Sequence, residues 1–534
     1  MLRHYEITNF KAFGKTQVIP FKPITLIYGP NSAGKSSIIQ SLLLLKQTLE
    51  DADNLDTMLL PQGKLTNLGN YREFIHGHDV DYAFSIKIIL EIENESDLGL
   101  GLKFVYDQDT ASPILTQIDV FQENAKLPIL SYEIDLNNNI FSVTKIYSEH
   151  SFWQNWWNSF QQQLHEEFFQ QVNRTLKEYN RLKPVRRSKK GISNALEKQI
   201  EPLKEDLEKV KPENRSESEL AYCIDEIETL IDLEQQFSNY TLDDAIQDFR
   251  QVIAFSSGLG YRNFLPENSI LFEEDENLRY KWKFKHLLQI HQALKTNQVL
   301  DNLTLKASEA VRKFLTEMIY IAPLRDYPER LYTFSGNVTD QVGKTGKGIA
   351  DLLFTRDDVL ESLNQKFQTF NLGYRIKTVK FMNQDDHQIS DIFTLRLVDQ
   401  LTNIDVSLLD VGFGISQILP VLVQSVASRN RTIVIEQPEV HIHPRLQTEL
   451  GDLFIESIKS FGNRFIIETH SEHLILRIQR RIREGQLTPD DVLVLYVDHS
   501  NEGSACLELR LDSEGDFIDE WPDGFFEEGY KEIF

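Results

Sequence analysis

An α/β fold, its parallel sheet drawn from both ends of the chain, is predicted by three features of the sequence. A β-type run, Ile24 to Tyr28, leads into Gly29-Pro30-Asn31-Ser32-Ala33-Gly34-Lys35-Ser36, and a helical segment, Ile38 to Leu49, follows. Far downstream, two further apolar runs end in polar chemistry: Thr432-Ile433-Val434-Ile435-Glu436, and Arg464-Phe465-Ile466-Ile467-Glu468-Thr469-His470-Ser471. Between these ends the pattern changes near Ser148 from alternating strands to long polar helices, which predicts an α-helical insertion.

The first element is G-x-x-x-x-G-K-S set between a strand and a helix, the context a phosphate-binding loop needs. Its glycines let the backbone wrap an anion, and loop amides through Ser37 together with the helix N-terminus point at phosphate. Lys35 is expected to neutralise the β and γ phosphates, and the Ser36 hydroxyl to ligate Mg²⁺. The apolar run closing on Glu436 has the form of a buried parallel strand that delivers a carboxylate to the sheet's carboxyl edge, where Mg²⁺ sits. Gln437-Pro438-Glu439 and Val440-His441-Ile442-His443-Pro444 follow it, and the second run then ends at His470.

Upstream of the loop stands Asn9-Phe10-Lys11-Ala12-Phe13. With G-P-N-S-A-G-K-S-S, the acidic strand, the H-x-H-P turn and strand-T-H-S in that order, the chain resembles the ABC-type ATPase heads of the RecF, SMC and OLD group. The resemblance implies ATP and Mg²⁺ as ligands, Glu436 holding the metal through water, and His470 as the switch histidine on the γ phosphate. It places Lys11 near the nucleotide; a surface lysine between two core aromatics is the other reading. It also places the signature segment at Asp410-Val411-Gly412-Phe413-Gly414-Ile415-Ser416-Gln417, at the start of a helix. In such heads Gly412, Gly414, Ser416 and Gln417 would reach the ATP of an opposite protomer, making a homodimer or higher homo-oligomer through ATP-sandwiched heads. Gly414 occupies the usual Ser position of the signature and Ser416 its second Gly. The catalytic Glu that normally follows the metal-holding acid is here Gln437, which cannot accept a proton as a carboxylate does. Either Glu439 supplies the base, or hydrolysis is slow and ATP acts as a clamp.

A phrase of the form I-x-P-L-R-x-x-P-x-R, Ile321 to Arg330, and the ending around Trp521-Pro522 resemble a bacterial group of stand-alone ABC ATPases related to OLD and RecF. The resemblance covers about residues 1–145, an N-terminal ATPase lobe, and 315–534, a C-terminal lobe, and leaves the helical insertion 146–314 without a likeness. Several of that group act in antiphage defence beside a separately encoded nuclease or toxin, which is the partner the resemblance implies. A RecF- or SMC-type DNA clamp is the alternative. An OLD-like nuclease fits less well, because the stretch after His470 is shorter than the ~100 residues its metal-dependent domain needs.

Composition bounds these readings. The chain has 534 residues, 81 Asp plus Glu against 56 Lys plus Arg, and a net charge of −25. Such acidity argues against indiscriminate binding of nucleic acid by the whole surface. No apolar run reaches membrane-spanning length and no signal core opens the chain, so a cytoplasmic protein with no membrane partner is expected. Cys223 and Cys506 cannot make a disulfide framework or a zinc site by themselves. His76 with His78, and His441 with His443, are each H-x-H pairs without further ligands nearby, and read as turn histidines. Gln62 is one candidate for a Q-loop glutamine.

Within the insertion, Trp153, Trp156, Trp157, Phe160, Phe168 and Phe169 form an aromatic face expected to pack in a core. Leu196 to Val210 and Leu220 to Ile231 carry a 4-3-4 spacing that predicts a short antiparallel helical hairpin. Just before it, the basic run 174–190 is either a contact for nucleic acid or an acidic partner, or a solvated linker.

Overall fold

The structure, a computed structural model, describes residues 1–159 except 55, 93–95, 124 and 136–139, then positions 161, 162, 170, 174 and 177, and then 241–247, 257–271, 284–382, 389–500 and 503–522. The predicted hairpin over 196–231 and nearly all of the basic run lie outside the described residues, as do Phe160, Phe168 and Phe169. Two compact units divide the chain. The first gathers Met1–Asn124, Gly260–Asn268 and Leu303–Phe534; the second holds Ala125–Leu259 and Ser269–Asn302.

In the first unit, β1 (Leu2–Thr8) pairs antiparallel with β2 (Gln17–Pro20), and the next strand, β3 (Ile24–Tyr28), enters a different sheet. The helix Lys35–Asp51 follows β3. β4 (Phe84–Leu90) pairs with β1, and β5 (Leu98–Asp107) and β6 (Ser112–Gln122) continue the antiparallel order. This is the alternating segment read from the sequence. Its later strands, β7 (Leu130–Asp135) and β8 (Ile140–Ile146), form a hairpin in the second unit, where Phe141 of β8 faces Leu259 of β9 (Ser257–Arg262). Trp153 is fully buried in that unit and donates its indole N–H to Ile129 O at 3.0 Å. β10 (Leu265–Leu271) and the helix Phe284–Glu317 complete the middle of the chain.

The C-terminal stretch supplies the rest of the first unit. β11 (Ile319–Ile321) leads to a small antiparallel sheet of β12 (Tyr332–Thr333), β13 (Tyr374–Met382), β14 (Ile389–Asp399) and β15 (Asp405–Ser407), which no sequence signal announced. After the helix Phe413–Ala427 come β16 (Thr432–Glu436), the helix Pro444–Phe461, β17 (Arg464–Glu468), the helix Glu472–Arg483, β18 (Val492–Ser500) and β19 (Gly503–Glu508). Among the described residues, no helix is long and apolar enough to cross a membrane.

The organising element is the six-stranded sheet β11-β16-β17-β3-β18-β19, parallel from β11 to β18 and closed by antiparallel β19. β3 and β16 are buried at every position, as strands covered on both faces must be. Local signals set the helices between them. His443 caps the helix Pro444–Phe461 by accepting from Arg445 N, Pro444 starts it, and Gly462 ends it in the left-handed region at φ 67°. Ser471 caps the next helix by accepting from Leu474 N. Arg477 and Arg481 of that helix both grip Asp452 of the preceding one, at 2.6 to 2.7 Å.

Phe454 stacks on Phe465 of β17 with ring centroids 4.6 Å apart, both fully buried. Phe465→Ala is expected to cost ~3–5 kcal/mol of stability, read as a lowered urea midpoint, because the site is held by sheet on one side and helix on the other.

Candidate functional site

The loop after β3 is built from backbone constraints. Gly29 has φ 143°, and a Cβ there would lie 2.3 Å from Val497 O of the neighbouring β18, so only glycine lets the chain turn at this point. Gly34 caps the helix Lys35–Asp51 without any side-chain hydrogen bond, which leaves the helix's first amides to the loop itself. Lys35 is 4% exposed; its Nζ donates to Gly29 O at 3.0 Å and Pro30 O at 2.8 Å, curling the ammonium into the loop. Burial lowers its pKa, and the carboxylates of Glu468 and Glu439 pull it back up. Asn31 and Ser32 are exposed, Ser32 with a left-handed φ of 64°; Ala33 and Ser37 are buried. Lys11 Nζ donates to Gln40 Oε1 at 2.6 Å. Gln40 lies one turn beyond Ser36 on the same helix face, so Lys11 stands beside the loop-borne helix.

Two strand ends bring acid to this loop. In the parallel register Glu436 of β16 sits opposite Glu468 of β17, and Glu468 opposite Ile27 of β3, two residues before Gly29. Neighbouring strands lie about 4.8 Å apart, so the two carboxylates share one corner of the sheet. Glu436 is 9% exposed and accepts from Tyr320 Oη at 2.8 Å. Burial, then the charge of Glu468, pushes its pKa up to about 7, with the Tyr320 hydrogen bond opposing. Glu468 is 4% exposed, with Oε2 buried and without a hydrogen-bond partner. Burial raises its pKa too, offset by hydrogen bonding with Ser36 and by the Lys35 charge.

Glu439 is committed elsewhere. One oxygen accepts from His470 N at 2.7 Å and the other from Thr469 Oγ1 at 2.8 Å, so both oxygens hold the turn that carries His470. Burial and the Lys35 charge lower the His470 pKa. Gln437 lies between these acids in a strained left-handed conformation, φ 46°, with its N–H donated to Glu468 O at 2.7 Å.

The signature segment lies along the start of the helix Phe413–Ala427, where Gly412 is the exposed N-cap. Ser416 Oγ donates to Phe413 O at 2.7 Å, and Gln417 is buried with Nε2 unpartnered. A Cβ on Gly414 would stand 2.9 Å from His441 O, so the glycine lets this helix approach the H-x-H turn, and Phe413 packs edge-on to the His441 ring at 5.0 Å. The other histidines serve turns: His76 Nδ1 is 2.9 Å from Lys11 O and His78 Nδ1 is 2.8 Å from Arg72 O. Gln62 lies in a tight turn, bridged to Asn67.

The structure thus brings the loop residues, Glu436, Gln437, Glu439 and His470 to one sheet edge. Sequence reasoning passed over three residues there. Glu468 was visible only as the end of a strand; Arg325 belongs to the Ile321 to Arg330 phrase and Tyr320 directly precedes it, and no spacing reveals the contacts of either.

The paired acids make stability depend on pH. Unfolded, Glu436 ionises near 4.5; folded, it keeps its proton to about 7. The folded state therefore binds more protons in that window, and stability falls as pH rises from about 4.5 to about 7 when divalent cations are chelated. Thermal melts in chelator should show this fall, and Glu436→Gln should flatten it.

Comparison with known proteins agrees with this geometry. The AAA ATPase domain family matches residues 1–475, and a family described only as a protein of unknown function matches residues 487–534. A Helicobacter pylori protein named ATP/GTP phosphatase is 25% identical over 159 residues, 28% of this chain and 39% of its own length. The structural maintenance of chromosomes protein 4 of Caenorhabditis elegans is 51% identical over 47 residues, 8% of this chain and 3% of its own. The chain thus spans well under half the length of these curated relatives. Among solved structures, a Pyrococcus furiosus Smc head domain bound to the C-terminal domain of ScpA covers 100% of this chain and 98% of its own at 11% identity and TM-score 0.36. The Thermotoga maritima SMC head domain covers 96% and 99% at 10% identity and TM-score 0.34. With the loop 29–37, the acidic strand ends and His470 all inside the matched span, the chain belongs to the AAA ATPase domain family.

Proposed function

We propose that this ATPase works as a slow ATP clamp: ATP and Mg²⁺ bind at the loop 29–37, loaded heads pair into a homodimer or higher oligomer, and pairing controls a separately encoded effector in the cytoplasm. The observation that carries the reading is the register of β16, β17 and β3, which sets two buried carboxylates beside the phosphate loop.

The donor set suits Mg²⁺. Ser36 and Glu436 are hard oxygen ligands, and the orphaned Glu468 Oε2 is a buried acceptor that a hydrated cation would satisfy. When bound, Mg²⁺ would neutralise charge developing between the β and γ phosphates. The protein's own part is to position. Lys35, now on Gly29 O and Pro30 O, would exchange those carbonyls for phosphate oxygens. His470, whose backbone N–H donates to Glu439 at the adjoining turn, would meet the γ phosphate.

Hydrolysis is the weak half of this chemistry. Gln437 can orient water and cannot take its proton, and Glu439 has both oxygens engaged. Gly412, Gly414, Ser416 and Gln417 would bind the partner head's ATP. The effector, a nuclease or toxin in antiphage defence, rests on resemblance to stand-alone heads of the RecF and OLD group. The second reading, a DNA clamp, is favoured by the 47-residue similarity to a chromosome-maintenance protein; it requires DNA retention by the ATP-loaded dimer, which effector control does not.

Lys35→Ala should weaken ATP binding about 100-fold and abolish any ATP-dependent shift in gel filtration. No shift in the wild-type protein would refute the clamp. Gln437→Glu should raise turnover about tenfold or more, measured as phosphate release, by restoring a carboxylate at the water-facing position.

A further inference from the structure

The I-A-P-L-R phrase is not absorbed by the nucleotide site, and its arginine is placed where two parts of that site meet. Arg325 lies four residues beyond β11 and is 5% exposed. Its Nη1 donates to Gln417 O at 3.1 Å, in the first turn of the helix Phe413–Ala427. Its Nη2 donates to Glu436 O at 3.2 Å and Gln437 O at 3.3 Å, at the end of β16. Among the described residues it forms no ion pair, and Nε is buried without a partner. The backbone on either side is braced: Ala322 N donates to Lys344 O and Asp326 N to Thr345 O, each at 2.9 Å. Tyr320, from the same segment, holds the Glu436 carboxylate.

Burying a guanidinium against carbonyls is costly, and the charge of Glu439, outside hydrogen-bond reach, offsets only part of the desolvation. Packing by itself would favour an apolar residue here. What a rigid planar fork adds is simultaneous reach to two elements, which a lysine, a single point donor, cannot reproduce.

We propose that Arg325 is a positioning residue that makes the signature segment and the turn after Glu436 move as one body. The proposal rests on the head-pairing reading for its purpose: ATP from a second copy of the chain, engaging Gly412 to Gln417, would shift the first helical turn. The guanidinium would pass that shift to the carbonyls of Glu436 and Gln437. Occupancy of one pocket would thereby be felt at the water-facing position of another. Gln437, already in a strained conformation, is the residue whose placement such a shift would change.

Hydrogen exchange on the full chain tests the tie without any assumption about pairing. In nucleotide-free Arg325→Lys, amides of 413–417 and of 437–442 should both exchange about tenfold faster, while those of 38–45 stay unchanged. Acceleration of one segment alone, or of neither, overturns the proposal whether or not heads pair. ATP titration supplies the functional arm. Arg325→Lys should bind ATP within about threefold of wild type yet lose about tenfold in ATP-driven assembly and in turnover. Wild-type assembly and turnover in the variant would overturn it, as would a loss of ATP affinity that tracks a fall in melting temperature, the mark of a merely structural role. If wild type itself fails to assemble with ATP, the pairing reading falls and the exchange data alone decide the tie.

Discussion

The site depends on one register. Because β16, β17 and β3 run parallel with Glu436 opposite Glu468 and Glu468 opposite Ile27, two carboxylates are forced into the corner where the phosphate loop begins. Both are buried, and burial, with the charge of Glu468 acting on Glu436 and that of Glu439 on Glu468, makes their charged forms unfavourable. Lys35, Ser36 and Tyr320 relieve part of that cost, and a bound cation would relieve more. A corner whose acids are both pushed toward their protonated forms would, in the proposed clamp, couple nucleotide, metal and proton in one equilibrium. A register slip by one residue would turn one of the carboxylates to the opposite face and dissolve the arrangement.

Around that corner the chain spends its remaining polar groups on position. Glu439 gives one oxygen to His470 N and the other to Thr469 Oγ1, while Arg325 gives its fork to carbonyls of two elements. These contacts act on backbone rather than on substrate. They fix the three segments that flank the loop, so that each can respond to the others: the turn after β16, the turn after β17, and the first turn of the helix Phe413–Ala427. Glycines at 29 and 414 permit the close approaches this packing needs, to Val497 O and His441 O.

How much of this was legible follows from the range of each interaction. The phosphate loop is local: strand, turn and helix are consecutive, so Gly29 through Ser37 could be read directly. Glu436 and His470 were legible as ends of apolar strands, a pattern that points to a sheet's carboxyl edge. Glu468 was in plain view two residues before His470, yet its importance comes from lying opposite Glu436, and strand order is not written in spacing. Arg325 could be picked out as part of a phrase, but its three carbonyl acceptors lie 92 to 112 positions away. In the small sheet of β12 to β15, β13 is half-buried along most of its length and β12 and β15 are too short to carry a pattern, although β14 buries Phe393, Leu395 and Leu397 in alternation.

The same geometry explains why binding and turnover should be separable here. In the proposed clamp, tight binding would need the loop, Lys35, the Glu436–Glu468 corner and a steady His470, and each of these is held by buried contacts. Turnover needs one more thing, a group that can take a proton from water at the γ phosphate. The position next to Glu436 offers an amide, and the nearest following carboxylate, Glu439, is tied down by the very contacts that steady His470. Freeing Glu439 to act as a base would loosen the turn that carries His470. A protein under that constraint can lengthen the life of the bound state without weakening it. That is the property a clamp requires and a fast hydrolase does not.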